Sequence, residues 1–94
     1  MTTYLQITFK VPAEKRKAAL GIFYKNKEIF LYGVAGAQSK TLLVRDEDLQ
    51  ILHRFSSVKM AEIYLSSEVC TVDIVAELGP LLDALPDIRL YEES

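Results

Sequence analysis

Hydrophobic and polar residues alternate along four short stretches of the chain and follow a helical period along two longer ones. Alternation with a period of two is typical of strands whose two faces meet different surroundings. It predicts strands over residues 4–11, 38–44, 49–55 and 88–92. Apolar residues at helical spacing predict a helix from residue 13 to about residue 32 and a helical region from residue 58 to about residue 82.

The first helix is predicted to bury one stripe of side chains and to end near Tyr32, where Gly33 and Gly36 suit a cap and a turn. The residues of this stripe are Leu20, Phe23, Tyr24, Lys27 and Leu31, and it is widened by Ala19, Ile22, Ile29 and Phe30. A run of basic residues at positions 15–17 lies beside Glu14 near the start of the helix. We interpret this mixed-charge run as a solvated helix face.

The second helical region is predicted to be interrupted. Ser56 and Ser57 can cap its start, and residues 66–68 (SSE) suit a second N-cap, which indicates two helices. Residues 79–80 (GP) should interrupt the helix again, because proline removes a backbone hydrogen bond and clashes with the preceding turn. Between these breaks, helical spacing is continued by Val69, Val72, Val75, Ala76 and Leu78.

The order of elements is strand, helix, strand, strand, helix pair, strand, which is the ferredoxin-like βαββαβ pattern of the α+β class. The chain of 94 residues is expected to form one domain, 1–94, because two separate cores would be too small. We predict a four-stranded antiparallel sheet of order 4-1-3-2 with helices on one side. The helices should cover Leu5, Ile7, Phe9, Ile51, His53, Phe55, Ile88 and Leu90.

The opposite face of this sheet mixes polar, charged and apolar side chains. Its members are Tyr4, Gln6, Thr8, Gln50, Leu52, Arg54, Arg89 and Tyr91. A monomer could leave such a face in water. A dimer could instead stack two such sheets, and its buried arginines would then need polar partners. Composition alone leaves both possibilities open.

Charge and cysteine content narrow the classes of function. The net charge of −2 lacks the basic excess expected for binding nucleic acid or an anionic membrane. The single cysteine, Cys70, cannot form an intramolecular disulfide, and its apolar surroundings favour a buried inert thiol. Residues 46–48 (DED) are interpreted as a solvated turn rather than a metal site. With no signal peptide apparent, we expect a cytoplasmic protein.

Several short motifs carry a resemblance to a known family. They are residues 33–37 (GVAGA), 53–57 (HRFSS) leading into Ala61, 64–67 (YLSS), 78–82 (LGPLL) and 86–92 (PDIRLYE). With the order of elements, they make the chain resemble the antibiotic biosynthesis monooxygenase-like family of small dimeric α+β barrel proteins. The resemblance implies a homodimer with sheets face to face, and a cavity between each sheet and its own helices.

Members of this family that oxidise aromatic polyketides without metal or flavin are described with an asparagine, a tryptophan and a tyrosine around the substrate. Haem-degrading relatives use an asparagine and a tryptophan with a helix-borne histidine. The present chain contains no tryptophan, its one asparagine is Asn26 on the first helix, and its one histidine is on a strand. No catalytic residue is therefore carried over, and we expect no cofactor and no metal.

Four residues are candidates for a site in that cavity. His53 should point toward the helices, where it could act as a general base or bind a ligand carbonyl. The alternative is a half-buried histidine with one hydrogen-bond partner. Tyr24, Tyr32 and Tyr64 could bind a planar ligand in the same cavity, although tyrosines at helical spacing are more often core residues.

Three hypotheses of function follow. The first is a cofactor-free oxidoreductase, such as a cofactor-independent monooxygenase, acting on a small aromatic or quinone-like molecule. The second is a non-catalytic dimeric module that binds a small ligand. The third is a structural or regulatory dimer with a filled core. A pocket beside His53 would favour the first two, and a core without one would favour the third.

Overall fold

The four alternating stretches form strands, and the two helical stretches pack on them. The computed structural model describes the backbone of residues 1–94 and the side chains of residues 1–72 and 76–94. The strands are β1 (Thr3–Phe9), β2 (Ala37–Val44), β3 (Leu49–Phe55) and β4 (Asp87–Glu92). The helices are α1 (Arg16–Gly33), α2 (Val58–Leu65) and α3 (Glu68–Cys70). Among the helices of the described residues, none combines the length and the apolar composition that a membrane span requires.

The strands form one antiparallel sheet in the order β2-β3-β1-β4. This is the predicted order 4-1-3-2 viewed from the other edge, so the ferredoxin-like α+β fold is confirmed. Leu5 of β1 lies between His53 of β3 and Leu90 of β4. The two central strands therefore carry most of the surface that the helices cover.

Burial follows the alternation closely on the central strands. The helix-facing residues of β1 and β3 are at most 3 % exposed, and they include Leu5, Ile7, Phe9, Leu49, Ile51, His53 and Phe55. On the edge strand β4, Ile88 lies on the same face opposite Ile7, yet it is 48 % exposed. Ile88 therefore lies on the helix-facing side of the sheet, as predicted, but the helices cover this edge of the sheet only in part.

Helix α1 buries one side of the wide predicted stripe. The buried residues are Ala19, Phe23 and Phe30, which were predicted, and Asn26, which was not, whereas the predicted Tyr24 and Ile29 are exposed. Apolar residues occupy both sides of this helix, so periodicity alone does not decide which side meets the sheet.

Two serines cap the broken second helical region as predicted. The Ser57 hydroxyl accepts a hydrogen bond from the Met60 amide at 3.3 Å, and the Ser67 hydroxyl accepts one from the Cys70 amide at 3.3 Å. Helix α3 continues into a π-helical segment, Thr71–Leu78, and then into a 3-10 turn, Gly79–Leu81. The backbone thus changes at the predicted Gly-Pro break. The predicted role of the Val75 side chain lies outside the described residues.

Lys15 and Lys17 of the basic run are exposed, as the interpretation of a solvated face requires, whereas Arg16 is half-buried and contacts other parts of the chain. Its guanidinium donates to the carbonyls of Val11 at 3.3 Å, Arg45 at 2.7 Å and Asp46 at 2.6 Å. The side chain therefore ties the start of α1 to the turn between β2 and β3. In the same turn, Arg45 donates to both carboxylate oxygens of Asp48, at 2.7 and 2.8 Å.

The turn before β2 requires a glycine at position 36. Gly36 has φ of 78°, and an added Cβ would lie 2.6 Å from Met60 Cγ. We expect Gly36→Ala to lower the free energy of unfolding by about 1–3 kcal/mol, from left-handed backbone strain and from this clash. Urea denaturation of the variant and the parent measures the change.

Gly21→Ala is the matched control, because a Cβ at Gly21 has nothing within 4 Å. In an exposed helix interior this change should raise stability by about 0.5–1 kcal/mol. Equal stability of the Gly36→Ala variant and the parent would contradict the assignment of Gly36.

Candidate functional site

His53 lies at the centre of the surface where the sheet meets the helices. It is on β3, between Leu5 of β1 and Lys40 of β2, and it is 0 % exposed. The prediction that His53 points toward the helices agrees with this position. Its burial places an ionisable ring in a region that is otherwise almost entirely apolar.

One hydrogen bond fixes the tautomer of His53. Its Nδ1 lies 3.0 Å from the Leu5 carbonyl oxygen. Because a carbonyl can only accept, Nδ1 carries the proton and Nε2 keeps its lone pair. Nε2 is buried and has no hydrogen-bond partner among the described residues. The ring thus presents an unused acceptor to the interior of the protein.

The surroundings of His53 keep it neutral. Burial lowers its pKa to about 3, with a smaller lowering by the charge of Lys40, while the hydrogen bond to Leu5 opposes the shift. The imidazole is therefore uncharged at all physiological pH values.

Three aromatic rings surround the imidazole. The ring centroids of Phe30, Tyr64 and Phe55 lie 5.2, 5.5 and 6.3 Å from that of His53. Tyr64, which is 1 % exposed, is the candidate tyrosine that the fold brings to His53. Four surface grooves are lined by described side chains, and His53 lines none of these four.

Lys40 is a buried neighbour that the sequence analysis did not select. It is 2 % exposed, and its Nζ lies 5.3 Å from the Phe30 ring centroid and 5.7 Å from that of Phe23. An ammonium over an aromatic face is stabilised by the ring quadrupole. The sequence did contain a signal, because Lys40 alternates in phase with Leu42 and Val44.

The other two candidate tyrosines lie on the surface of α1. Tyr24 is 65 % exposed and packs edge-on against Phe23 at 5.2 Å, and Tyr32 is 88 % exposed near the end of the helix. Neither is brought to the imidazole of His53. Tyr24 is exposed because α1 turns the side that carries Ala19, Phe23 and Phe30 toward the sheet.

Comparison with known proteins finds similarity in structure only. No protein-family model matches the sequence, and no curated protein is similar to it. A solved structure of a candidate antibiotic biosynthesis monooxygenase from Caulobacter crescentus superposes with a TM-score of 0.85 at 14% identity, covering 99% of this chain and 90% of that chain. A candidate antibiotic biosynthesis monooxygenase from Bordetella bronchiseptica gives 0.85 at 8% identity, covering 99% and 97%. A conserved protein from Methanosarcina mazei gives 0.85 at 16% identity, covering 100% and 94%.

The chain has the fold of the antibiotic biosynthesis monooxygenase-like proteins. The resemblance inferred from sequence motifs is therefore confirmed at the level of the fold. At these identities the likeness extends to architecture, and the chemistry has to be argued from the residues of this chain.

Within this antibiotic biosynthesis monooxygenase-like fold, the sheet face away from the helices is open in the single chain. Tyr91 is 49 % exposed, Arg54 is exposed and Leu52 is half-buried. Arg89 pairs with Asp87 of its own strand at 3.0 Å. Among the described residues, no group of three or more His, Cys, Asp or Glu side chains could hold a metal ion.

The low pKa of His53 predicts a pH-dependent stability. An unfolded histidine titrates near 6.5, so below that pH the unfolded chain binds a proton that the folded chain, with a pKa of about 3, does not. Stability should therefore fall as pH drops from about 6.5 toward 3, by up to about 1.4 kcal/mol per pH unit.

His53→Gln removes this titration. Urea denaturation between pH 7 and pH 5 should give a shallower loss of stability in the variant than in the parent, whatever their difference at pH 7. Identical slopes of unfolding free energy against pH in the parent and the variant would contradict the prediction, because they would show that the folded protein accommodates the protonated ring.

Proposed function

We propose that the protein is a homodimer that oxidises a small aromatic or quinone-like molecule without a cofactor, with His53 as the base. The observation that carries the proposal is the buried Nε2 lone pair of His53, which has no partner among the described residues. The likeness in fold to candidate antibiotic biosynthesis monooxygenases supports it. A pKa of about 3 leaves the imidazole unprotonated but makes it a weak base toward a phenol, so the proposal requires that a bound substrate raises the pKa of His53.

In the proposed reaction the substrate supplies its own electrons. His53 Nε2 takes the proton of an aromatic hydroxyl, and the resulting phenolate is electron-rich enough to reduce dioxygen. A hydroquinone that passes two electrons and two protons to dioxygen yields a quinone and hydrogen peroxide. In the monooxygenase variant, a phenol gives four electrons to dioxygen, so that one oxygen atom becomes the new quinone carbonyl and the other leaves as water with two hydrogens of the substrate.

The buried position of His53 sets two requirements on this reaction. A base with a pKa of about 3 holds a proton only while the phenolate stays beside it, so the ion pair has to form in place. A substrate ring also needs space that Phe30 and Tyr64 now occupy. We therefore infer that binding displaces at least one of these two rings.

Oxygen consumption with a panel of substituted hydroquinones tests the proposal. His53→Ala should lower kcat/KM by at least about 100-fold, because general-base catalysis contributes about 10²–10⁴-fold. Lys59→Gln on the exposed side of α2 is the control and should retain parental activity. Measuring hydrogen peroxide separates oxidation from oxygen insertion.

Two results would count against the proposal. One is the absence of turnover with the whole panel, and the other is turnover that His53→Ala leaves unchanged. A parental kcat/KM that falls with a midpoint near pH 6.5 would contradict the low pKa on which the role of His53 is built.

A second candidate function is a non-catalytic dimeric module that binds a small ligand or has a regulatory role. The rings of Phe30, Phe55 and Tyr64 pack around His53, which supports the regulatory form of this candidate, because a histidine packed in this way can serve the core without contacting a substrate. This candidate predicts that a ligand raises the melting temperature without being consumed. Turnover of any hydroquinone through His53 would exclude it.

The homodimer is proposed from the open face of the sheet. Leu52 of β3 and Tyr91 of β4 lie on this face, and Tyr4 and Gln6 of β1 lie between them. Burial against a second copy of the chain would remove the apolar surface of these residues from water. Arg54 is exposed in the single chain and would need a polar partner in such an interface. The face is thus suited to a partner of the same kind.

Leu52→Glu should convert the dimer to a monomer, because a carboxylate at this position would be buried without a partner. Light scattering at micromolar concentration measures the mass. Ile63 on α2 is 54 % exposed, so Ile63→Glu is the matched control, and this variant should stay dimeric. A parent protein that scatters as a particle of 10.6 kDa would overturn the proposed dimer.

A cytoplasmic location is proposed with the same function. Cys70 is a buried thiol that forms no disulfide, as is usual for the cysteines of cytoplasmic proteins. Fractionation of cells that express the full chain tests this location.

A further inference from the structure

A groove on the outer side of the helical layer is built from residues that the proposed chemistry does not use. It lies between α1 and the α3 helix with its π-helical continuation, and its volume is about 360 Å³. The apolar walls are Ile29, Val69 and Val72. Ile29 and Val72 are 51 % and 49 % exposed, so the walls have no cover within the chain. This volume suits a small organic molecule.

Asn26 forms the polar part of this groove. The residue is 4 % exposed, and its Nδ2 donates to the Ile22 carbonyl at 3.0 Å. Because that carbonyl can only accept, the nitrogen and oxygen of the amide are assigned without ambiguity. The amide oxygen accepts no hydrogen bond from a described residue and is not one of the fully buried unpaired atoms, so a molecule in the groove that Asn26 lines can reach it. An acceptor without a protein donor favours a ligand that donates.

The charges around the groove favour a cation. Lys25 and Glu77 form an ion pair of 3.0 Å across the groove, between α1 and the π-helical segment. Glu68 also lines the groove, and it makes no ion pair with a described residue. Among the described residues that line the groove, Glu68 is therefore the one carboxylate without an ion-pair partner, which disfavours anionic ligands.

We propose that this groove binds a small apolar primary amine. The ammonium donates to the Asn26 amide oxygen and is attracted by the Glu68 carboxylate, and the apolar body lies against Ile29, Val69 and Val72. The site is separate from His53, so binding here does not require turnover of any substrate. An ammonium hydrogen bond to a neutral acceptor is charge-assisted and stronger than one from a hydroxyl.

Three probes of similar size test the proposal: phenethylamine, 2-phenylethanol and 3-phenylpropanoate. Phenethylamine should bind at least about tenfold more tightly than the alcohol, a difference of about 1.4 kcal/mol, and the carboxylate should not bind. Titration calorimetry measures the affinities on the full chain. Asn26 is the only asparagine, so its side-chain amide signal in a nitrogen–proton NMR spectrum also reports on the site directly.

Variants separate the two polar contacts. Asn26→Leu keeps the approximate shape and should weaken phenethylamine binding by at least about tenfold. Glu68→Gln should reduce the preference for the amine over the alcohol and leave alcohol binding unchanged. Glu62→Gln, an exposed carboxylate of α2 that does not line the groove, is the control and should bind as the parent does.

The proposal is overturned if the three probes bind with equal affinity or if none binds at millimolar concentration. It is also overturned if phenethylamine leaves the Asn26 amide signal unshifted in the parent. Should Asn26→Leu fail to fold, the proposal is still tested by the shift of the Asn26 amide signal in the parent and by the preference of Glu68→Gln for the amine over the alcohol. Unchanged binding in His53→Ala keeps this result distinct from the chemistry proposed at His53.

Discussion

The contact between helix α1 and the sheet depends on Phe30. This side chain is 0 % exposed, and its ring centroid lies 5.1–5.5 Å from those of His53, Phe55 and Tyr64. It therefore joins α1, β3 and α2 in one cluster, and it also supports the buried ammonium of Lys40. The same ring occupies the space closest to the imidazole. Phe30 thus stabilises the core and, in the same position, blocks the approach of another molecule to His53.

The sequence predicted the strands and their order because alternation has a single interpretation on a two-faced sheet. Leu5, Ile51 and Phe55 could only face the helices once the period was recognised. The buried side of α1 was not predictable in the same way. Leu20, Phe23 and Tyr24 lie on adjoining sides of the helix. The packing of Phe23 and Phe30 against the sheet decides which of these sides is buried.

The same difference between the strands and α1 applies to the residues of the candidate site. His53 and Tyr64 were placed together because each lies on an element whose inward face the pattern defined. Tyr24 and Tyr32 depended on the rotation of α1, and the structure leaves both on the surface. Asn26 could be found only from the structure, because its burial follows from that rotation and its free acceptor follows from a hydrogen bond to its own helix.

The three hydrogen bonds of Arg16 all go to main-chain carbonyls. A main-chain carbonyl is present whatever side chain its residue carries, so this attachment constrains the path of the β2–β3 turn without depending on the side chains of the turn. Residues of the turn can be exchanged over evolutionary time while the helix stays joined to it. Anchors of this kind allow an architecture to persist while its sequence diverges, as in the solved structures that share it at 8% and 16% identity.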